Sequence, residues 1–185
     1  MKDIFRGSLV RLTAESPEAL GSAFARWNRD TEYSRLLDTD PHHMWSAKKV
    51  KEYIEKDMEK EPPEEYFFQV RTLEQDCLIG FVGLFPIWAH QNAWVGIGIG
   101  EREFWGKGYG TDAMRLTLRF AFMELNLYRV TLNVFEYNTR AIRSYEKAGF
   151  RHEGCQRQFL HRNGKRWDVI EMGVLREEWL ASNPS

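Results

Sequence analysis

The stretch Trp105-Gly106-Lys107-Gly108-Tyr109-Gly110-Thr111 carries the plainest chemical meaning in this chain. Glycines at alternate positions let successive backbone N–H groups converge on one ligand, and the amphipathic helix expected to follow adds the positive end of its dipole. An anion such as a pyrophosphate is the natural occupant. Lys107 either adds charge to that site or faces solvent. A tight strand-to-helix turn needs fewer glycines than this, and Gly96, Gly98 and Gly100 stand just upstream. Two nucleotide-binding patterns can be set against the loop. Walker A would require Gly at 101 and Ser or Thr at 108, where Glu101 and Gly108 stand; a dinucleotide fingerprint would require Gly or Ala at 111, where Thr111 stands.

Elements that position this loop follow from periodicity. Residues 9–12 read as a short strand, and Ser16-Pro17-Glu18 opens a helix running to about Asn28, with Ser as N-cap and Pro in the first turn. Ser46 caps a second helix to roughly Lys60, on which Val50, Tyr53, Ile54 and Met58 recur at helical spacing. Residues 55–65, charged and containing Pro62-Pro63, read as a loop within the domain. After it, Phe68, Val70 and Thr72 alternate against Phe67, Gln69 and Arg71, and an apolar run follows over 77–85; the polar turn Glu74-Gln75-Asp76 joins two strands.

A third strand spans 93–99, and its glycines would weaken it unless something approaches the backbone closely. Beyond the loop, Met114, Leu118, Ala121 and Leu125 form a helical stripe. Then come a strand over 129–135, a helix over 139–148 ended by Gly149, and two strands near 150–160 and 167–175 turned at Asn163-Gly164. The sum is an α+β (mixed α/β) single domain over 1–185: a central, mostly antiparallel twisted sheet of about six to seven strands flanked by about four helices.

Composition narrows the function classes. Lys+Arg 26 against Asp+Glu 27 leaves a formal charge of −1, so no global basic field would hold nucleic acid or an anionic membrane surface. Apolar runs are only a few residues long, and the opening residues Met1 to Arg6 carry charges where a signal peptide would have its hydrophobic region; cytoplasmic location is the expectation. Cys77 and Cys155 are far apart and lack ligand spacing, and His42-His43 and His161 pair with no acids at helical spacing, so neither a disulfide framework nor a metal site is expected.

Three motifs in order, over residues 78–175, resemble the core of the GNAT superfamily of acetyl-CoA-dependent N-acetyltransferases, and most of all the branch containing ribosomal-protein N-terminal and spermidine acetyltransferases. The family's loop pattern, Arg or Gln, two residues, Gly, one residue, Gly or Ala, falls on Trp105, Gly108 and Gly110; Trp105 departs from the consensus at a position usually matched through its backbone. The second motif is the run from Asn138 through Ala141 and Tyr145 to Gly149-Phe150, and the third runs from Gly154 through Asn163-Gly164 to Asp168. Residues 1–60 match only in helix placement. The resemblance implies that Gly98, Ile99 and Gly100 hold pantetheine, that Trp105, Gly106, Lys107, Gly108, Tyr109, Gly110 and Thr111 hold the pyrophosphate, and that Asn138, Ala141, Ser144 and Tyr145 line the other side. It further implies that the two strands flanking the site diverge and that the cofactor arm pairs with the exposed edge, which would explain the upstream glycines.

Acyl transfer to an amine needs a neutral nucleophile and a proton for the leaving thiolate. Lysine-type amines titrate at about 10.4 and chain-terminal ones at about 7.7 to 8.0, so either a base helps or the acceptor is a terminal amine. Glu101, expected to face the reaction gap, is the candidate base; it reads equally as a solvated carboxylate in Glu101-Arg102-Glu103. Tyr145 matches the family's proton donor, or is core on a stripe with Ala141 and Ile142. Asn138 reads as N-cap and cofactor contact together.

By the same resemblance the acceptor site draws on Trp27, Asp30, Tyr33, Trp45, Arg157 and Phe159, each of which also reads as core or surface. Asp38, Asp40 and the acids of 55–65 would attract a cation, or form a solvated face. The expected activity is acetyl transfer from acetyl-CoA, without metal, to a primary amine by direct attack in a ternary complex, with a protein N-terminus as first choice of acceptor. A polyamine or other small amine, a non-catalytic acyl-CoA-binding module and a nucleotide-phosphate binder are the alternatives. Exposed aromatics would support a homodimer, although scattered single ones need no such explanation.

Overall fold

The computed structural model describes residues 3–58 and 65–183. One sheet contains β1 (Val10–Thr13), β2 (Tyr66–Thr72), β3 (Leu78–Ile87), β4 (Asn92–Ile99), β5 (Arg129–Phe135), β6 (Arg151–Arg162) and β7 (Lys165–Leu175), in the spatial order β1-β2-β3-β4-β5-β7-β6. Around it lie α1 (Pro17–Trp27), α2 (Thr31–Leu37), α3 (Ala47–Met58), α4 (Tyr109–Met123), α5 (Thr139–Ala148) and α6 (Arg176–Ser182). Every neighbouring pair of strands is antiparallel except β4 and β5. The mixed α/β architecture and strand number match the expectation. Among the described residues, no helix is long and apolar enough to cross a membrane.

Local signals set most boundaries. Ser16 Oγ accepts from the Ala19 N–H at 3.2 Å and Ser46 Oγ from the Lys49 N–H at 3.2 Å, starting α1 and α3. Gly149 ends α5 at φ 110°, and Asn163 and Gly164 turn the last hairpin at φ 54° and 69°, the left-handed pair that a two-residue hairpin needs.

Among the described residues there are six helices against the expected four or so, the additions being α2 and α6. Each has seven residues, too few to display a period, and each is stabilised by contacts. Asp30 Oδ1 caps α2 by accepting from the N–H groups of Glu32 at 3.0 Å and Tyr33 at 3.2 Å. In α6, Trp179 packs on Phe122 of α4 with ring centroids 5.7 Å apart. The loop expected over 55–65 begins later, because residues 55–58 complete α3. Lys60 and Pro62-Pro63 lie outside the described residues.

Helix α4 crosses between the parallel strands, as a parallel connection requires. Its Ala113, Met114, Leu118, Ala121 and Phe122 are fully buried against the sheet, beside Val82, Leu84, Val130 and Met172. Burying each large side chain contributes about 1.5–3 kcal/mol, so this layer sets the height of both strands.

The strands it connects then part. They pair only at Asn92/Arg129, Ala93/Val130 and Trp94/Thr131. Beyond that, β4 remains paired with β3 up to Ile99, and β5 with β7 up to Phe135. Each strand is thus secured on its outer side, and a wedge-shaped gap opens between them toward the N-termini of α4 and α5.

Candidate active site

A cavity of 980 Å³ occupies that gap. At its floor, Trp105 to Gly108 lead into α4, with Gly106 at φ 72° and Gly108 at φ 93°. An L-residue at either position would be strained, so these two glycines are required by the backbone. Gly110 is not: an added Cβ would meet Ile99 Cγ1 at 3.6 Å and Ser144 Oγ at 3.8 Å, ordinary contacts. The turn leaves the first N–H groups of α4 without intrahelical acceptors, beside Gly110 and Thr111 of the cavity lining.

Across the gap, Thr111 Oγ1 and Ser144 Oγ are hydrogen-bonded at 2.7 Å, joining α4 to α5. Asn138 Oδ1 caps α5 by accepting from the Ala141 N–H at 3.2 Å, and its amide nitrogen donates to the Leu36 carbonyl at 3.5 Å. Four cations, Arg115, Arg140, Arg143 and Lys147, line this side of the cavity. The reading of the sequence had not singled them out; their spacing on α5 and on the first turns of α4 was the available signal. Asp112 was missed as well. Its carboxylate accepts from the N–H groups of Leu9 at 2.7 Å and Val10 at 3.0 Å, pinning the chain before β1 to α4.

Of the residues expected at the cofactor, Gly98, Ile99, Trp105, Gly106, Gly108, Gly110, Thr111, Asn138, Ala141, Ser144 and Tyr145 line the cavity, whereas Gly100, Lys107 and Tyr109 do not. Lys107 is exposed, and Tyr109 packs edge-on against Phe104 with ring centroids 5.1 Å apart. The strand glycines have a further cause beside the expected one. A Cβ on Gly100 would fall 2.1 Å from the Trp27 ring, and one on Gly98 would fall 2.6 Å from Tyr33 Oη and 2.8 Å from the Phe81 ring. Aromatic side chains crowd the sheet face above these two, while Gly98 also lines the cavity; above Gly96 nothing lies within 4 Å.

Trp105 is held by several contacts of its own. Its backbone N–H donates to the Arg102 carbonyl at 3.0 Å, and its indole N–H donates to the Ile99 carbonyl at 2.6 Å. The Arg140 guanidinium lies 3.7 Å from the ring centroid, a cation–π stack across the mouth of the gap. Partial desolvation pulls Arg140 below the usual arginine value.

Tyr145 projects from α5 into the cavity. Burial pushes its phenol up to about 12, with the Arg140 charge opposing the shift, so Oη keeps its proton throughout the physiological range. Glu101 is placed differently from the expectation. It does not line the cavity; Oε1 accepts from Trp27 Nε1 at 2.8 Å and Arg26 Nε at 3.1 Å, and Arg26 Nη2 closes a salt bridge on the same oxygen. That carboxylate ties α1 to the end of β4. Glu101→Gln is therefore expected to lower stability by roughly 1 kcal/mol, a Tm drop of about 2–4 °C, and to leave the pH–rate profile unchanged. A catalytic base would instead remove the limb of that profile it controls.

The cavity's other side is formed by Tyr33, Leu36, Leu37, Asp38 and Thr39 at α2, Asn133 and Phe135 on β5, Gln156 and Phe159 on β6, and Val169 on β7. Tyr33 and Phe159 were expected here. Trp27, Asp30, Trp45 and Arg157 do not reach the cavity, and Asp30 is engaged with Arg102, whose guanidinium holds its carboxyl below the usual range. Arg162 fixes the last hairpin to α2, donating to the carbonyls of Arg35, Asp38 at 2.9 Å and Thr39 at 3.4 Å. A bulge in β6 between Gln156 and Leu160 presents Phe159, and Asp168 Oδ1 holds it by accepting from the Gln158 N–H at 2.7 Å.

Comparison with known proteins agrees with this geometry. The model of the acetyltransferase (GNAT) domain matches residues 10–151. A probable N-acetyltransferase of Bacillus subtilis (strain 168), YjcK, is 41% identical over 156 residues, covering 82% of this chain and 84% of the relative. The spermidine N(1)-acetyltransferase of Escherichia coli (strain K12) is 36% identical over 81 residues, 44% of each chain. Among solved structures, spermidine N-acetyltransferase from Vibrio cholerae in complex with CoA and spermine superposes with a TM-score of 0.78 at 26% identity, covering 92% of this chain and 96% of that one. Sheet order, the parted strands and the glycine turn thus have the family's sequence pattern laid over them, and the chain belongs to the GNAT family of N-acetyltransferases.

Proposed function

We propose that this protein is a cytoplasmic enzyme that uses acetyl-CoA to acetylate the N-terminal α-amine of a protein or peptide, by direct attack within a ternary complex. The observation that carries the choice of acceptor is the charge of the cavity wall. Among the described residues, its carboxylates are Asp38 and Asp112, and Asp112 is already engaged by three donors of residues 8–10. Four cations face them. A polyamine carries several positive charges and needs several carboxylates; a single amine on an apolar or peptide body suits Leu36, Leu37, Phe135 and Phe159 better.

The chain fits the donor. Gly106 and Gly108 shape a turn whose helix N-terminus suits a pyrophosphate, and the gap-side edge of β4 beyond Trp94 offers backbone N–H and C=O groups to an extended amide arm. When bound, acetyl-CoA supplies an acetyl group already activated as a thioester. Tyr145 keeps Oη protonated as a hydrogen-bond donor to the departing sulfur. Among the described residues of the wall there is no cysteine, which favours direct transfer over a covalent acyl-enzyme.

Both carboxylates of the described wall are hydrogen-bonded, Asp38 Oδ1 accepting from the Asp40 N–H at 3.1 Å and Asp112 from residues 8–10, so the acceptor reaches its neutral form largely unaided. The rate constant kcat/KM is expected to rise with pH and level off with an apparent pKa of about 7.7 to 8.0, that of a terminal amine. A polyamine or lysine acceptor would keep rising toward about 10.4. Tyr145 must stay protonated; its raised pKa keeps the working form present below about 12, so no alkaline fall from it enters a profile taken up to pH 10.

The deciding experiment incubates purified protein and acetyl-CoA with peptides bearing a free N-terminus, the same peptides blocked at the N-terminus but carrying lysine, spermidine and spermine. Free thiol and the site of acetylation are read. Modification of α-amines supports the proposal. Turnover of spermidine alone would move the assignment to a small-amine enzyme, the reading that the spermidine acetyltransferase relatives favour. Binding of acetyl-CoA without any turnover would leave a non-catalytic module.

A further inference from the structure

Tyr33 is a buried polar side chain with no part in the chemistry assigned to Tyr145 and the glycine turn. It stands on α2, is 4% exposed and lines the cavity. Among the described residues its Oη is buried without a hydrogen-bond partner. A buried hydroxyl left unpaired destabilises the fold, so one that is firmly held calls for a partner from outside the chain. This one is held. Asp30 Oδ1 accepts from the Tyr33 N–H at 3.2 Å, and the ring packs edge-on against Trp27 with centroids 6.4 Å apart. Trp27 in turn donates its indole N–H to Glu101 at 2.8 Å, so the Glu101 carboxylate fixes the ring that backs Tyr33. The hydroxyl lies over β4: a Cβ on Gly98 would fall 2.6 Å from Oη, and the missing side chain lets Oη come down onto the strand. Gly98 belongs to the stretch of β4 beyond Trp94 that has parted from β5, and it lines the cavity as well.

Resting on the acetyl-CoA reading above, we propose that Tyr33 is a catalytic residue besides Tyr145, whose Oη donates a hydrogen bond to the carbonyl oxygen of the acetyl thioester and stabilises the negative charge that builds there during attack. Three features choose this occupant. A donor held over β4 meets the group that lies along that strand, which is the acyl donor. A buried hydroxyl suits an uncharged carbonyl better than an amine that arrives hydrated and partly protonated. An attacking amine commits its lone pair to the carbonyl carbon and can take no hydrogen bond from Oη, whereas the carbonyl oxygen can. Burial raises the Tyr33 phenol well above the usual tyrosine value, so the donor is present at every working pH. In the step itself the amine nitrogen bonds to the carbonyl carbon, and the π pair of the C=O bond moves onto the oxygen facing Oη. That pair then returns, the C–S bond breaks, and the sulfur leaves with its electrons and receives the proton that the amine gives up. Oη keeps its own proton throughout.

Tyr33→Phe tests this with acetyl-CoA alone. Infrared difference spectra of the whole protein are recorded with acetyl-CoA carrying carbon-13 at the acetyl carbonyl. A strong donor weakens the C=O bond, so the labelled band is expected at lower wavenumber on wild type than in water, and to move back up on the variant. Calorimetric affinity for acetyl-CoA is expected to stay within about threefold, because the interaction strengthens only as charge develops. The Tm is expected to hold or rise, since the variant removes an unpaired buried hydroxyl. With whichever peptide or polyamine is turned over, kcat is expected to fall roughly 10²-fold at unchanged acceptor KM. A band that stays in place on the variant overturns the assignment and leaves the acetyl-CoA reading standing. So does a raised acceptor KM at unchanged kcat, which would make Oη an anchor for the amine, and so does a Tm lower by several degrees, which would give Oη a partner within the fold. Failure of wild type to bind acetyl-CoA overturns the acetyl-CoA reading, and the role of Tyr33 with it.

Discussion

Gly110→Asp is expected to weaken acetyl-CoA binding by about a hundredfold or more and at the same time to make the protein more stable. The backbone at Gly110 is not in the left-handed region, and an added Cβ meets its neighbours at 3.6 Å or more, so the fold tolerates a side chain there. An acidic group in the first turn of a helix contributes about 0.3–1 kcal/mol through the dipole, and replacing a helical glycine removes a backbone entropy cost of about 0.5–1 kcal/mol. A Tm rise of about 2–4 °C per kcal/mol follows for a chain of this size. The same carboxylate would lie where the first amides of α4 point. Against a phosphate about 4 Å away, at an effective dielectric of 20, each pair of charges repels by about 4 kcal/mol, before any loss of the amide contacts. Calorimetry should show acetyl-CoA affinity down by about a hundredfold or more, with Gly110→Ala losing less than tenfold. If the aspartate variant binds as wild type does, the glycine turn serves the backbone only.

Tyr145→Phe is expected to reduce kcat by about 10- to 100-fold and to leave acetyl-CoA affinity within twofold. Burial decides the size. A phenol near its ordinary pKa of about 10 would pass its proton to a thiolate at a cost of only about 1.5 pKa units. With the group pushed up to about 12 and a thiol near 8.5, that transfer is uphill by about 3.5 pKa units, or about 5 kcal/mol. Oη therefore donates a hydrogen bond to the departing sulfur, and the proton the sulfur finally keeps comes from the attacking amine. Losing a hydrogen bond to a charged group is worth about 1.5–3 kcal/mol, which gives the expected range. Single-turnover rates at saturating acetyl-CoA measure it. A drop of about 10⁴-fold would mean full proton transfer through Tyr145; no change would make it a core residue whose ring packs on Phe150, with centroids 6.1 Å apart.

What could be read from the chain in advance was local. The caps at Ser16 and Asn138, the stop at Gly149, the hairpin at Asn163-Gly164 and the glycine turn each depend on hydrogen bonds or φ values within a few residues. Strand and helix periods depend on little more, so sheet content and the site's glycine-bearing wall were both legible. Elements too short to display a period, α2 and α6, were not.

Nor was the direction of any side chain that answers to a distant one. Glu101 looked poised over the gap, yet Trp27, 74 residues earlier, and Arg26 turn it away. Nothing near Gly98 and Gly100 in the chain announces that Tyr33, Phe81 and Trp27 crowd the positions a Cβ would take there. The cavity wall beside α2 depends on Arg162 reaching that helix across 127 residues of chain, and its basic opposite side on Arg115 meeting Lys147. Such contacts join segments whose proximity is set by how the sheet is layered and where β4 and β5 part, and nothing in the spacing of neighbouring residues encodes that. The chemistry of the cradle is a property of the backbone and travels with the local motif. Which amine meets it is a property of surfaces assembled from α2, β5, β6 and β7, and exists only once the chain has packed.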